Sequence, residues 1–281
     1  MTYQPDLYDA VTPTSLQGDV EWYCRKAQES GGPVLELGAG TGRVTLAIAE
    51  AGVPIHALDA SEAMVEALRV KLATRPPQVR ERVTPVVGDM RAFELPDRFG
   101  LIISPFRAFL HNLTEADRVA CLDRVRQHLR PEGRFAFNVF HPSLEYMAQH
   151  SGPLAGVWRW AGTYSLPSGG FVVRSEANRY DTVRQVVLSH HRYDEYGTDG
   201  ALTRASLHRL ELAYLYPVDI RRLLTSQTSR FMGTSTVVCF LATPTNWSSR
   251  RLSEAPNKRL HLTAAAVVSS QRGAWSCGRR K

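Results

Sequence analysis

No run of ~18 apolar residues occurs in the 281-residue chain, so no membrane-spanning helix is expected. Cysteine is sparse and scattered: Cys24, Cys121, Cys239 and Cys277 form no CxxC pair and no Cys/His cluster. Neither a zinc site nor a disulfide framework is therefore expected, and no metal site of any kind. The opening "MTYQPDLYDAVTPTS" lacks the basic and apolar regions of a signal peptide, which leads to the expectation of a cytoplasmic protein.

Acidic residues are scarce in one region only. From Ser226 to Lys281 there are nine Lys/Arg and a single acid, Glu254. That leaves 25 of the 34 basic and 26 of the 27 acidic residues in the first 225, a nearly neutral body. The whole-chain charge of +7 is thus a property of the tail. It is no argument for a nucleic-acid partner, because no basic stripe runs along the body.

Short apolar runs alternate with amphipathic ones over residues 14–142. Strands are expected at Val34–Leu37, Val53–Leu58, Val83–Val87, Leu101–Ile103 and Arg134–Phe140. Helices are expected at Arg43–Glu50, at Ser61–Leu72 with Ser61 as N-cap, and at Thr114–Leu129. Thr114 and Asp117 have the spacing of a capping box. Pro85 cannot donate to a ladder, which assigns the third strand to a sheet edge. The alternation predicts an α/β fold, a doubly wound, mostly parallel sheet with helices on both faces. Its ligand crevice would lie at the carboxyl ends of the strands.

Between about Trp158 and Tyr216 the period changes to two. Three long antiparallel strands are expected there, with turns at "RYD" and "YGTDG". This insertion, over about 154–216, would cover the crevice with one face and offer the other to solvent or to a second subunit as a homodimer. His190 and His191 are neighbours on a strand and so point to opposite faces, which argues against a shared metal. A helix begins at Pro217. After residue 225 only Gly233–Leu241 reads as a strand, and the rest of the basic tail is expected to be disordered.

The chemistry is concentrated in "VLELGAGTGRVTLAIA". A dinucleotide fingerprint, G-x-G-x-x-G, would need a third glycine where Arg43 stands. The spacing here is G-x-G-x-G through Gly38, Gly40 and Gly42, preceded by Glu36. Two more acids, Asp59 in "HALDAS" and Asp89 in "VVGDM", fall at the ends of the next two strands.

Together "VLELGAGTGR", "LDASEAM", "GDMRAF", "PFRAFLHNL" and "HLRPEGRFAFNVFHP" resemble the class I S-adenosylmethionine-dependent methyltransferases. The resemblance covers residues 6–225 and is specific over the first 142. It implies a Rossmann-like methyltransferase fold in a domain spanning 1–225, with its core in 1–142. By architecture, the antiparallel insertion is similar to that of small-molecule N-methyltransferases acting on amino sugars.

The resemblance also implies roles. The turn Gly38, Ala39, Gly40 and Gly42 would approach the methionine end of S-adenosylmethionine. Glu36 would bind its amino-acid end directly or through water, and Asp59 would accept both ribose hydroxyls. Ala60 and Met64 would flank the adenine, Asp89 would accept from the adenine amino group, and Met90 would pack on the ring. His111 matches a histidine of the amino-sugar enzymes and is the candidate base. Tyr8 would fold over the cofactor. Arg107 and His141 are candidates for contact with a small-molecule methyl acceptor, at nitrogen or oxygen.

The ending departs from the family. Its members follow the "YP" helix with a "GF"-type turn and two antiparallel strands. Here "RRLLTSQ" runs into the basic tail 226–281, so the closing strand pair is expected to be disrupted. Loss of that pair would expose an inner strand as an edge. A cofactor-binding but inactive relic is the alternative reading.

Overall fold

A computed structural model describes residues 4–12, 17–140, 143–227, 236–242 and 263–266. Two N-terminal helices, α1 (Pro5–Val11) and α2 (Gln17–Ser30), precede the alternating unit. The unit runs β1 (Val34–Leu37), α3 (Arg43–Glu50), β2 (Ile55–Asp59), α4 (Glu62–Ala73), α5 (Pro77–Arg80), β3 (Val83–Val87) and β4 (Phe99–Ser104). It continues through α6 (Glu115–His128) and β5 (Leu129–Phe140). After α7 (Leu144–Ala148) come β6 (Arg159–Ser165), β7 (Phe171–Asp181), β8 (Val186–Tyr196) and β9 (Leu202–Ala213). Helix α8 (Pro217–Gln227) and the strands β10 (Thr236–Ala242) and β11 (Thr263–Ala266) complete the described chain.

Every residue of β1 is buried, as a strand covered on both faces must be. It pairs in parallel with β2 on one side and β4 on the other. The order of the large sheet is β11-β10-β5-β4-β1-β2-β3. Strand β3, with Pro85, lies at the edge as its proline requires.

The pleat sends alternate side chains to two cores. Leu35, Leu37, Ile102, Phe135 and Phe137 join one with Leu122 and Val125 of α6. Val34, Leu101 and Ile103 join the other with Tyr23 of α2 and Ile48 of α3. Glu36 therefore shares the side of Val34, toward α3. Both expected caps form: Ser61 Oγ accepts from Met64 N–H at 3.4 Å, and Thr114 and Asp117 make a complete capping box.

The antiparallel insertion is a separate four-stranded sheet, β6-β7-β8-β9, one strand more than the sequence pattern indicates. The extra strand is β6. A register shift between Trp160 and Gly162 interrupts its alternation and hides it from a period-two reading. The first hairpin also turns later than expected, because Arg179, Tyr180 and Asp181 still belong to β7. Asp181 makes the turn by accepting from the N–H groups of Val183 and Arg184. The second turn lies at "YGTDG", where Gly197 N–H donates to Ala201 O at 2.9 Å.

Strand β10 lies within the expected Gly233–Leu241 region and extends to Ala242; residues 233–235 fall outside the described residues. It pairs with β5 in parallel, and β11 pairs with β10 in parallel. The described strands thus contain no antiparallel closing pair. The edge of β5 is nevertheless covered, contrary to the exposed inner strand expected from the sequence. The remaining tail, for which disorder is expected, lies outside the described residues.

Candidate functional site

The carboxyl ends of β1 and β2 meet at the glycine turn. Gly38 and Ala39 donate their N–H groups to Leu58 O at 2.8 and 3.0 Å. Gly40 N–H donates to Asp59 Oδ2 at 2.8 Å, and Ser61 N–H to Asp59 Oδ1 at 2.8 Å. Each carboxylate oxygen has two lone pairs, so both keep acceptor capacity beyond these bonds. Asp59 is half-buried, and burial raises its pKa while the Ser61 and Gly40 bonds oppose that shift.

Two of the glycines do different work. Gly38 has φ +76, and a Cβ there would stand 2.5 Å from Ala108 Cβ, so it seats the turn against the segment after β4. Gly40 has φ +57, and a Cβ there would meet only the Tyr8 ring, at 3.9 Å, among the described residues. Backbone is therefore bare where a ligand would come closest, with Tyr8 of α1 facing it.

Helix α1 is fastened over this turn. Asp9 Oδ1 accepts from Thr41 Oγ1 at 2.6 Å, and Asp9 Oδ2 pairs with Lys71 Nζ of α4 at 2.6 Å. On α1, Leu7 and Val11 pack with Val172 and Tyr193 of the antiparallel sheet. Desolvation pushes the Tyr8 phenol up to about 12, so it remains protonated. Arg43, at the start of α3, makes a two-pronged pair with fully buried Asp19 at 2.7 Å on each side.

Glu36 is 2% exposed and accepts from Thr45 Oγ1 at 2.5 Å. Burial pushes its pKa up to about 8, against the Thr45 bond and the charge of Arg43. A carboxyl of this kind is mostly protonated at pH 7 and takes its charge when a cation arrives beside it.

The second group of expected residues is placed less openly. Asp89 accepts from Arg91 Nε at 2.9 Å and Nη2 at 2.6 Å, and this pairing lowers its pKa. Met90 borders Gly38, whose Cβ position lies 3.9 Å from the Met90 methyl carbon, and its sulfur accepts from Asn112 Nδ2 at 3.3 Å. Ala60 is exposed beside Asp59, whereas Met64 is buried in the first turn of α4.

The end of β4 carries the third group. Phe106 and Arg107 both have positive φ, +50° and +68°, a strained pair of non-glycine residues. Arg107 N–H donates to Asn138 Oδ1 at 3.0 Å, from a side chain 1% exposed on β5. A 3₁₀ turn, Ala108–His111, follows. Phe109 anchors it in the core, with its ring 4.6 Å from that of Phe137. His111 ends the turn. It keeps an exposed surface, yet crowding by protein desolvates the ring and lowers its pKa to about 4. An imidazole with that pKa is neutral at physiological pH. His141 lies outside the described residues.

Asn138, Asp9, Thr41 and Thr45 are site residues that no sequence pattern indicated. Asn138 left one trace: a lone amide in the apolar run "FAFNVF". No group of three or more His, Cys, Asp or Glu suited to a metal ion exists among the described residues. Nor does any helix among them have the length and apolarity to cross a membrane.

Residues 34–133 match the family described as "Methyltransferase domain". The cypemycin N-terminal methyltransferase of a Streptomyces species is 30% identical over 130 residues, 46% of this chain and 51% of that protein. The chain spans about half the length of the curated relatives it matches. Among solved structures, the CcbJ methyltransferase of Streptomyces caelestis is 27% identical with a TM-score of 0.62, over 80% of this chain and 84% of that one. CalS10, an amino pentose methyltransferase of Micromonospora echinaspora, shares the fold at 19% identity and a TM-score of 0.58, over 81% and 89%.

Proposed function

From the premise that the chain carries a class I S-adenosylmethionine-dependent methyltransferase domain, we propose that it methylates a nitrogen or oxygen of a small molecule. The observation that carries this reading is the joined pair Gly40 and Asp59, a bare backbone and a carboxylate with spare lone pairs at one crevice. Those residues fit the cofactor. Asp59 would accept from its ribose diol, the turn from Gly38 to Gly42 would pass its methionine end, and Glu36 would face its ammonium side. Asp89 would turn from Arg91 to meet the adenine, beside Ala60, Met64 and Met90. Bound S-adenosylmethionine supplies a methyl group that its sulfonium has already made electrophilic.

The chain's own residues then need to orient and dry the acceptor. Tyr8, protonated and held by the Asp9 clasp, closes the turn side of the crevice. His111 is neutral and offers a nitrogen lone pair to an N–H or O–H of the acceptor. A group with so low a pKa is a weak base, so its role is to align and relay a proton rather than to remove one from a strongly basic ammonium. Arg107, set by the strained turn, would hold part of the acceptor. N-Methylation is favoured by the N-terminal activity named for the cypemycin enzyme.

The test is calorimetric titration of the full chain with S-adenosylmethionine, followed by methyl-transfer assays on amine and hydroxyl panels. Saturable one-site binding with turnover of an amine is expected. Absence of binding overturns the reading, and binding without turnover on any panel member supports the inactive relic.

A further inference from the structure

The face of the four-stranded sheet that packs on the domain has three zones. At one end Val172 and Tyr193 meet Leu7 and Val11 of α1. At the other, Val187 joins the large core, with Tyr180 and Leu212 packed against it. Between them the register brings together Arg174, Glu176, Asn178, Ser189 and His191, a polar band between two apolar ones. Polar side chains there cost desolvation and need a use.

The acid of the band is hydrogen-bonded on both oxygens. Glu176 Oε1 accepts from Tyr146 Oη at 3.2 Å and from Asn178 Nδ2 at 3.3 Å, while Oε2 accepts from Arg174 Nη2 at 3.0 Å. Ser189 closes the network onto Asn178. On the same face Glu195 stands opposite Arg204, 3.8 Å away. Glu176 thus already faces an arginine, whereas Glu195 Oε1, 3.8 Å from Arg204 Nε, is buried without a hydrogen-bond partner among the described residues and stays open to an N–H of the acceptor.

Donors are what the band has to offer. Arg174 carries five N–H groups, and its Nε is buried without a partner among the described residues. His191 turns Nε2 toward Arg174 Nη2 at 3.4 Å. Arginine only donates, so Nε2 is the accepting nitrogen and the proton of neutral His191 sits on Nδ1. Burial, and then the Arg174 charge, keep that ring neutral against the opposing charge of Glu176. Arg107 adds a second cation: it immediately precedes the 3₁₀ turn Ala108–His111, which lies against β9 of the same sheet. The strained Phe106–Arg107 pair, held by buried Asn138, is an independent sign that this position serves a ligand.

We infer that the methyl acceptor is an amine bearing a carboxylate, and that Arg107, Arg174 and His191 form the site that holds the carboxylate. This rests on the proposed methyl transfer and names its substrate class. The acceptor nitrogen reacts as its free base, because only an unprotonated amine has the lone pair that attacks the methyl carbon. The nitrogen forms its bond to the methyl carbon as the carbon–sulfur bond breaks, and the resulting ammonium loses its proton to water.

The experiment uses the full chain, saturating S-adenosylmethionine, and amino acids and short peptides with free amines, each paired with its C-terminal carboxamide. The carboxylates are expected to have at least tenfold higher kcat/KM than their amides. Arg174→Gln should abolish that preference while leaving S-adenosylhomocysteine affinity within twofold. Arg107→Gln, which leaves the band network intact, should do the same, and Arg174→Lys should restore part of it. Equal or better use of the amides, turnover of neither series by a protein that binds S-adenosylmethionine, or an undiminished preference in both Gln variants overturns the inference. Failure to bind S-adenosylmethionine at all overturns the proposed function instead.

Discussion

Gly40 and Asp59 are 19 residues apart and are joined by a 2.8 Å hydrogen bond from the Gly40 N–H to Asp59 Oδ2. The bond ties the turn after β1 to the end of β2, so a backbone opening and a carboxylate share one rim. The same carboxylate takes Ser61 N–H, which fixes its plane at the start of α4. The chain itself thus supplies the bonds that order this rim, and the consequences are measurable.

Glu36 gives a pH-dependent stability. Its folded pKa, about 8, lies above the ordinary 4.5, so folding favours the protonated form. Its contribution is fully present below pH 4.5, declines as pH rises toward 8, and is lost above that. Glu36→Gln should match the parent in denaturant midpoint near pH 5 and exceed it at pH 9. The gain is at most about 5 kcal/mol. An equal difference at both pH values would contradict the assignment.

The same carboxyl predicts proton release. A ligand ammonium placed near Glu36 stabilises its ionised form. At pH 7, S-adenosylmethionine binding should release a proton, read as a dependence of binding enthalpy on buffer ionisation enthalpy. Glu36→Gln should remove that dependence. Buffer-independent enthalpy in the parent would place the ammonium elsewhere.

Asn138 secures a strained backbone. Asn138→Ala should cost about 1–3 kcal/mol through the unpaired Arg107 N–H. Arg107→Gly tolerates φ +68 without the left-handed penalty of about 1–2 kcal/mol. In that background the cost of Asn138→Ala should fall by about 1 kcal/mol, as read from a double-mutant cycle. Strict additivity would mean that the amide does not hold the turn.

His111 separates binding from chemistry. With a pKa near 4 it stays neutral from pH 5 to 9, so it should introduce no limb into the kcat profile near pH 6.5. His111→Ala should lower kcat by about 10²-fold, the low end for a proton-handling group, with cofactor affinity unchanged. Equal losses of affinity and turnover would make the residue structural.

The alternating unit was legible because short buried strands and amphipathic helices have different periods. Asp59 and Asp89 could be placed because each closes such a strand, and Pro85 fixed an edge by its missing donor. Strand β6 was not legible, since the irregularity at Trp160 and Gly162 erases its alternation. The clasp of Asp9 on Thr41 and Lys71 joins residues 32 and 62 positions apart, a pairing no local pattern encodes. The Arg91 grip on Asp89 was equally hidden, although the two residues are nearly adjacent. Parallel pairing of β10 had no signal in an acid-poor tail of weak periodicity.

The most direct test is titration of Asp59→Ala with S-adenosylmethionine beside the parent protein, with a thermal melt of each. Loss of two charge-assisted hydrogen bonds to a diol predicts binding weaker by about 10²-fold or more, with a cooperative melt retained. An affinity equal to that of the parent, in a folded variant, would contradict a cofactor held at this rim.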